Sequence, residues 1–141
     1  MNHWVFTIGT RDWAPALNWL EQWGHLSHEM WFPGSKKPTG ITAGDRGVFY
    51  GSHGHGFLGA VEVLSEIPEP QTREEDKDRW PWIMRHRLLV SKAADKNIAS
   101  PEMAGMTTRR VARGPHTQIS AEEYDSAVEQ MLRAAARTAQ R

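Results

Sequence analysis

Residues 40–64, GITAGDRGVFYGSHGHGFLGAVEVL, decide the fold of this chain. They predict two strands that frame a glycine-rich bend. Gly44-Asp45 is typical of a turn, because glycine adopts positive φ without penalty and aspartate can bond its own backbone. The segments 48–50 and 57–64 are apolar and strand-forming, and the glycines of residues 51–56 reverse the chain between them. A sheet built on this hairpin must carry any functional site that the protein has.

Length and composition favour one domain over residues 1–141. The chain has 17 basic and 17 acidic residues and no cysteine. A chain of this size buries about two-thirds of its unfolded surface, so it needs no disulfide. The lack of cysteine excludes disulfides, thiolate catalysis and cysteine zinc sites. No apolar run approaches about twenty residues and no secretory leader is evident, so we expect a soluble, cytoplasmic protein, with a monomer favoured.

The rest of the chain predicts further strands and two main helices. Strands are expected at residues 3–8, 83–90 and 116–119, and a helix is expected from Asp12 to Trp23. Residues 25–39 follow neither period and are interpreted as a loop. Residues 71–79 are highly charged and are interpreted as a solvated connection with one helical turn, and Pro101 as the first turn of a short helix.

The closing helix has the clearest start. Ser120-Ala121-Glu122-Glu123 is a capping box, and Ile119 and Tyr124 are spaced as a hydrophobic staple. The predicted apolar face of the helix is Tyr124, Val128, Met131, Leu132 and Ala135, and residues 131–141 are expected to form a frayed helical tail. Together the elements predict an α+β fold, with a curved mixed sheet or partly closed β-barrel flanked by helices.

Motifs for catalysis, metal binding and cofactor binding are missing. His53 and His55 would share a face of a strand, but no third ligand stands near them in the sequence, and exposed turn histidines are the favoured interpretation. Ser52 lacks the nucleophile elbow of a hydrolase. The glycines match neither a dinucleotide fingerprint nor a phosphate loop. We therefore predict no catalytic residue, no metal and no cofactor.

Tryptophan is unusually frequent, with seven in the chain. Four aromatic residues lie in or beside predicted loops: Trp31, Phe32, Trp80 and Trp82. Exposed indole rings need an explanation. They cover a sheet edge, or they form a slot for a flat nucleobase. Composition alone leaves these two alternatives equal.

Basic residues flank both aromatic segments, although the formal net charge is zero. Bulk electrostatic attraction to nucleic acid is therefore excluded, and a local patch is needed. Arg85 and Arg87 lie two apart on a predicted strand and so leave the same face. We expect them to contact backbone phosphates together with Lys36 and Lys37. A second cluster, Arg109 to Arg113, is the alternative basic rim.

The order of these motifs resembles the EVE domain family of the PUA-like superfamily, which also holds YTH, ASCH and SRA-type domains. The resemblance rests on residues 3–6 (HWVF), 31–32 (WF), 37–39 (KPT), 44–50 (GDRGVFY), 57–61 (FLGAV) and 119–124 (ISAEEY). It spans nearly the whole chain, in the right order. It implies a small, curved, barrel-like sheet and a reader of a modified base in DNA or RNA, with modified cytosine as one implied ligand.

The resemblance also implies which residues line an aromatic pocket for a flipped or single-stranded base. They are Gly9 and Thr10, Trp31 and Phe32, Tyr50, Gly51, Ser52 and His53, and Trp82. Many relatives carry a lysine-serine pair after the first strand, where this chain has Ile8-Gly9-Thr10, so we expect a polar contact used by those relatives to be absent.

Two alternatives come from other functional classes. ASCH-type domains include small amidohydrolases that use lysine, threonine and glutamate, and Lys37 and Thr39 are close in this sequence, although no glutamate nearby completes the set. The second alternative is a protein-interaction module whose indole rings contact a partner protein. The leading interpretation remains a non-enzymatic, nucleic-acid-binding reader.

Overall fold

Seven strands of the described residues form one mixed sheet. The computed structural model describes residues 1–8, 28–34, 38–52, 56–65, 69–91 and 99–139. The strands are β1 (His3–Ile8), β2 (Glu29–Phe32), β3 (Arg46–Gly51), β4 (Gly56–Val63), β5 (Glu69–Pro70), β6 (Trp82–Ser91) and β7 (His116–Ile119). Their order is β2-β6-β4-β3-β1-β7, and β5 pairs with the start of β6.

The predicted hairpin lies at the centre of this sheet. β3 and β4 pair antiparallel, from Arg46 opposite Glu62 to Gly51 opposite Gly56. β1 lies parallel to β3, with Ile8 opposite Gly51. The other pairings of the described strands are antiparallel. The mixed character of the sheet is therefore confirmed.

The sheet curls until its two end strands meet. Phe32 lies on β2 at one end of the strand order, His116 lies on β7 at the other, and their ring centroids are 5.8 Å apart. The concave side encloses a core of buried side chains that includes Trp4, Phe6, Phe49 and Met84. The predicted α+β fold with a curved, partly closed barrel is therefore confirmed as a strongly curled half-barrel.

Gly47 allows β1 and β3 to pack closely inside the barrel. A Cβ atom at Gly47 would lie 2.4 Å from Cε2 of Phe6 and 3.0 Å from the carbonyl oxygen of Trp4. Real Cβ atoms do not approach other atoms so closely, so only glycine fits without movement of its neighbours. The Phe6 ring then packs edge-on against Phe49, with centroids 5.9 Å apart.

The interpretation of residues 25–39 as a loop is wrong at β2. Met30 and Phe32 are buried in the barrel interior, whereas Glu29 and Trp31 are half-buried on the opposite face. This alternation is the period of a strand, but four residues are too few for the period to stand out in the sequence. The strand forms because it pairs with the first half of β6.

The last helix covers part of the convex face of the sheet. The described helices are α1 (Thr108–Val111) and α2 (Ala121–Ala139), and single 3₁₀ turns span Glu74–Asp76 and Glu102–Ala104. The second core lies between α2 and the sheet, and its sheet members include Val5, Val48 and Ala60. The expected helical turn in residues 71–79 and the short helix after Pro101 are thus confirmed as 3₁₀ turns.

The predicted capping box begins α2. The Glu123 amide donates to Ser120 Oγ at 3.0 Å, and the Ser120 amide donates to Glu123 Oε1 at 3.0 Å. The predicted apolar face is wrong at Leu132, which is 54% exposed. The buried positions are Tyr124, Ala127, Met131 and Ala134, which follow the helical period one residue away from Leu132. The helix thus stays packed well into the segment predicted to fray.

Asp45 ties the turn before β3 to the N-terminus of the chain. Its buried carboxylate accepts from the Asn2 amide at 2.9 Å, from Trp4 Nε1 at 3.0 Å and from the amide and hydroxyl of Thr42 at 3.0 and 3.2 Å. Burial raises the pKa of Asp45, but these hydrogen bonds outweigh it and hold the pKa below its ordinary value. The predicted turn at Gly44 is confirmed, with φ of 92°.

The helix predicted from Asp12 to Trp23 lies outside the described residues. Five predicted site residues also lie outside the described residues: Gly9, Thr10, Lys36, Lys37 and His53.

Candidate nucleic-acid interface

The C-terminal ends of β1 and β3 lie side by side. Ile8 is the register partner of Gly51, and the Ser52 amide donates to the Ile8 carbonyl at 3.1 Å. Parallel strands bring their carboxyl ends to the same edge of a sheet. Gly51 and Ser52 therefore lie at the edge from which residues 9 and 10 continue.

Phe32 and Trp82, two residues of the predicted aromatic pocket, form a cross-strand pair. They are register partners on β2 and β6, so their side chains share the concave face. Phe32 is fully buried and packs on His116, whereas Trp82 is half-buried against the interior core. The two residues predicted to share a pocket are thus neighbours, and Phe32 is a core residue of the barrel.

Tyr50 lies on the opposite face from Phe32 and Trp82. Its ring is buried in the core beneath α2, 6.0 Å from the Phe57 centroid. The prediction that one pocket holds all three side chains is therefore wrong for Tyr50. Val48, two residues earlier on β3, lies in the same core, whereas Phe49 faces the barrel interior, so the orientation of Tyr50 follows from strand alternation. Burial raises the pKa of the Tyr50 hydroxyl, which bonds to Thr108.

Trp31 lies on the convex face of β2, at the surface. Its indole Nε1 donates to Glu29 Oε1 at 2.9 Å, which fixes the edge of the ring. One ring face carries the guanidinium of Arg73, whose Cζ lies 5.6 Å from the ring centroid. The half-buried ring is thus held in one orientation and is covered by a planar group.

Three strands contribute to the polar network that holds Glu29. Arg85 on β6 contacts Glu29 on β2 at 3.6 Å and Glu69 on β5 at 3.4 Å. Ser65 Oγ in turn donates to Glu69 Oε2 at 2.7 Å. Sequence patterns do not predict this network, because it depends on the register of strands far apart in the chain. Glu29 and Arg73 are the residues near Trp31 that sequence reasoning missed.

Arg85 and Arg87 lie on the same face of β6, as predicted, and both are exposed. Arg87 Nη2 contacts Glu62 Oε2 on β4 at 2.6 Å, and Arg85 contacts the two carboxylates described above. Contact of these arginines with phosphates stays a prediction. A phosphate would have to displace carboxylates that already satisfy the guanidinium groups.

The segment 71–80 forms the surface next to Trp31. Arg73 Nη2 contacts Glu75 Oε1 at 3.1 Å, and its Nε contacts Asp76 Oδ2 at 3.3 Å. A second arginine–tryptophan pair follows, with the Arg79 Cζ 5.2 Å from the Trp80 ring centroid. A hydrogen bond from its own backbone amide, and then Arg73, hold the pKa of Glu75 below its ordinary value.

Arg109 and Arg113 are exposed cations beside the end of β1. Thr7 Oγ1 donates to the Val111 carbonyl at 2.6 Å, and the Thr7 amide donates to the Pro115 carbonyl at 3.0 Å. These bonds fix the α1 segment next to the strand end that leads to Gly9. Within the described part of the chain no carboxylate contacts Arg109 or Arg113, whereas Arg110 forms an ion pair with Glu123.

The described residues offer little support for a metal site, a hydrolase site or a membrane span. No group of three histidine, aspartate or glutamate side chains there could hold a metal ion. Of the two candidate hydrolase residues, Thr39 is exposed and Lys37 is not described. No described helix is both long and apolar enough to span a membrane.

Comparison with known proteins finds similarity in structure. No model of a known family matches the chain, and no curated protein matches it. A crystal structure of a protein from Agrobacterium tumefaciens matches with a TM-score of 0.58 and 20% identity, over 92% of this chain and 93% of that one.

Two further matches are YTH domains solved with RNA. The complex of YTH domain-containing protein mmi1 and RNA matches with a TM-score of 0.62 and 11% identity, over 99% of this chain and 88% of that one. The YTH domain of Zygosaccharomyces rouxii MRB1 protein, solved with N6-methyladenosine RNA, matches with a TM-score of 0.52 and 12% identity, over 92% and 86%. The resemblance to EVE domains stays a prediction. At these identities the likeness shows the fold alone: this chain is an α+β protein with a strongly curled mixed half-barrel, the fold of these YTH domains.

Proposed function

We propose that this protein is a nucleic-acid-binding reader of a modified base, and that Trp31 is the surface on which the base stacks. One observation carries the proposal: Trp31 is held at the protein surface by Glu29, with a planar guanidinium on its face. The guanidinium marks a face of the indole that a planar group can approach from solvent.

The fixed orientation of the Trp31 ring distinguishes it from a tryptophan whose role is packing alone. A buried or half-buried indole N–H usually finds an acceptor, but here the acceptor is itself fixed by an ion pair with Arg85. The ring is therefore pre-organised before a ligand arrives, which lowers the entropic cost of binding. Stacking of one base on such a ring contributes about 1–3 kcal/mol.

The fold supports the same function at a coarser level. Two solved structures with this fold are YTH domains in complex with RNA, one of them with N6-methyladenosine. In our proposal the ligand is a modified base in single-stranded RNA or DNA, with modified cytosine and modified adenine as the first candidates. The proposed function is binding without catalysis.

The remaining predicted pocket residues are proposed as a second contact surface, separate from the convex face that carries Trp31. Gly51 and Ser52 lie at the sheet edge that leads to Gly9 and Thr10. We propose that the backbone at this edge, together with His53, contacts the nucleic acid. Trp82 supplies a second half-buried indole from the start of β6, and its partner Phe32 supports it from the core.

Binding of matched oligonucleotides tests the proposal. Short single strands that differ in one central base, modified or unmodified, are titrated with the wild-type protein and with Trp31→Ala at one salt concentration. The wild type should prefer at least one modified strand, and Trp31→Ala should lose about tenfold in affinity for it, since a stacked base is worth 1–3 kcal/mol.

The matched control is Trp80→Ala, which removes another arginine-covered indole from the same surface. It should keep the preference of the wild type. Equal affinity of the wild type for every modified and unmodified strand would rule out a reader function, whereas an unchanged preference in Trp31→Ala would move the stacking site elsewhere.

A further inference from the structure

The face of Trp31 already carries a planar cation. The guanidinium of Arg73 lies over the ring, with Cζ 5.6 Å from the centroid. An aromatic face is electron-rich, so it attracts a cation that lies over it more strongly than a neutral group of the same shape. The occupant of this surface in the free protein is thus flat and positively charged.

The groups around this cation are acidic. Glu75 and Asp76 contact Arg73 directly, at 3.1 and 3.3 Å. Glu29 contacts the edge of the Trp31 ring, and its own cation, Arg85, is shared with Glu69. If Arg73 moves away from the ring, Glu75 and Asp76 lose the guanidinium that neutralises them. Glu75 is 67% exposed and stays hydrated, but its charge and that of Asp76 favour a positive ligand over a neutral one.

We infer that the ligand of this surface is a nucleobase that carries a positive charge, such as a base methylated on a ring nitrogen. The inference rests on the proposed reader function and names its substrate class. A cationic base replaces Arg73 in charge: it lies on Trp31 and is attracted by the carboxylates of Glu75 and Asp76, which contact Arg73 in the free protein. A neutral modified base would stack but would leave the carboxylates unpaired.

The role of Arg73 then follows. It occupies the Trp31 face in the free protein and competes with the ligand for it. Its side chain is 53% exposed, so it can swing into solvent without opening the core. Replacement of Arg73 by alanine should therefore tighten the binding of a cationic base. This direction is the opposite of that expected for an arginine that binds a phosphate.

Isomeric methylated bases provide the test. Each pair carries one methyl group on the same base, but only the isomer methylated on the ring nitrogen is a cation at neutral pH. 1-Methyladenine and 3-methylcytosine are cations at neutral pH, whereas N6-methyladenine and 5-methylcytosine are their neutral isomers. Each is placed at the centre of the same short single-stranded RNA, beside strands with unmodified adenine and cytosine. The free nucleosides form a separate arm, which distinguishes a base within a chain from a small-molecule ligand.

We expect the cationic isomer to bind about tenfold more tightly than its neutral isomer, as for a partly desolvated cation on an indole face. Arg73→Ala should tighten binding of the cationic strand by about two- to fivefold, the equivalent of one surface cation–π pair. Arg79→Ala is the matched control, because it removes the guanidinium from Trp80 in the same segment. It should leave the affinity unchanged.

The failure of this inference and the failure of the reader function give different results. If the neutral isomer binds as tightly as the cationic one or more tightly, while both exceed the unmodified strand, the reader function stands and the charge inference is overturned. Weaker binding of the cationic strand by Arg73→Ala would also overturn it. If no modified strand exceeds its unmodified counterpart, the reader function itself fails.

Discussion

The ring of Phe32 packs edge-on against the ring of His116, with centroids 5.8 Å apart and planes at 78°. The two residues belong to the strands at opposite ends of the sheet. Their contact is therefore the point at which the curled sheet closes on itself. Trp31, the residue before Phe32 on β2, is half-buried on the opposite face of the same strand.

Loss of the Phe32 ring should destabilise the protein strongly. Phe32→Ala removes a fully buried ring from the barrel interior and should lower the free energy of unfolding by about 3–5 kcal/mol. Urea unfolding measures the change. Leu132→Ala, at an exposed position of α2, is the control and should change it by no more than about 0.5 kcal/mol. Equal effects of the two substitutions would contradict the barrel closure described here.

Gly47 should not tolerate even a methyl group. A Cβ atom there would meet the Phe6 ring and the Trp4 carbonyl, so Gly47→Ala should cost about 1–3 kcal/mol through overpacking. Gly114→Ala offers a matched control, because a Cβ atom at Gly114 meets no atom within 4 Å. A Gly47→Ala protein as stable as the Gly114→Ala protein would mean that β1 and β3 pack less closely than the structure shows.

The carboxylate of Asp45 should make stability depend on pH in the acid range. Burial raises its pKa, but four hydrogen bonds together outweigh that effect, so the folded pKa lies below the ordinary value of 3.8. A depressed pKa contributes stability that is present above the unfolded pKa and is lost as the pH falls through the folded pKa.

The Asp45→Asn variant isolates this contribution. It should be less stable than the wild type near neutral pH, and the difference between the two should shrink as the pH falls from the unfolded pKa of about 4 through the lower folded pKa. Urea unfolding at a series of pH values measures both proteins. A constant difference from pH 7 to pH 2 would show that Asp45 contributes nothing as an ionised group.

Salt dependence should separate the two arginine clusters. Arg109 and Arg113 have no carboxylate partner among the described residues, so replacing both by alanine should reduce the salt slope of binding to a single strand by about 1.4, at about 0.7 for each phosphate contact. Arg85 and Arg87 already contact Glu29, Glu69 and Glu62, so the corresponding double variant should change the slope less. The reverse result would place the phosphates on β6.

Local patterns in the sequence predict the parts of the fold that depend on neighbouring residues. The hairpin around Gly44, β1 and the capping box of Ser120 and Glu123 all follow from residues within a few positions of one another. β2 does not, because its four residues become a strand only through pairing with β6. Leu132 was assigned to the buried face for a related reason: its spacing fits a helix stripe, but the sheet contacts the adjacent stripe.

The candidate site depends still more on tertiary register. Trp31 stands out in the sequence as an aromatic residue beside a loop, but its orientation depends on Glu29, whose partner Arg85 is fixed by strand pairing across more than fifty residues. Arg73 reaches Trp31 only because the 71–80 segment folds against β2. Tyr50 faces the core beneath α2 together with Val48, as strand alternation requires, whereas Phe49 faces the barrel interior with Phe32.

Binding of a modified base on Trp31 is tested most directly by the NMR resonance of the Trp31 indole N–H. In a ¹H–¹⁵N NMR titration, this resonance is assigned by its loss in Trp31→Phe, and the Trp80 resonance serves as the internal control. We predict that the Trp31 resonance moves, and saturates, when a single strand with the preferred modified base is added, whereas the unmodified strand moves it far less. Saturable binding of the modified strand with the Trp31 resonance unchanged would contradict it.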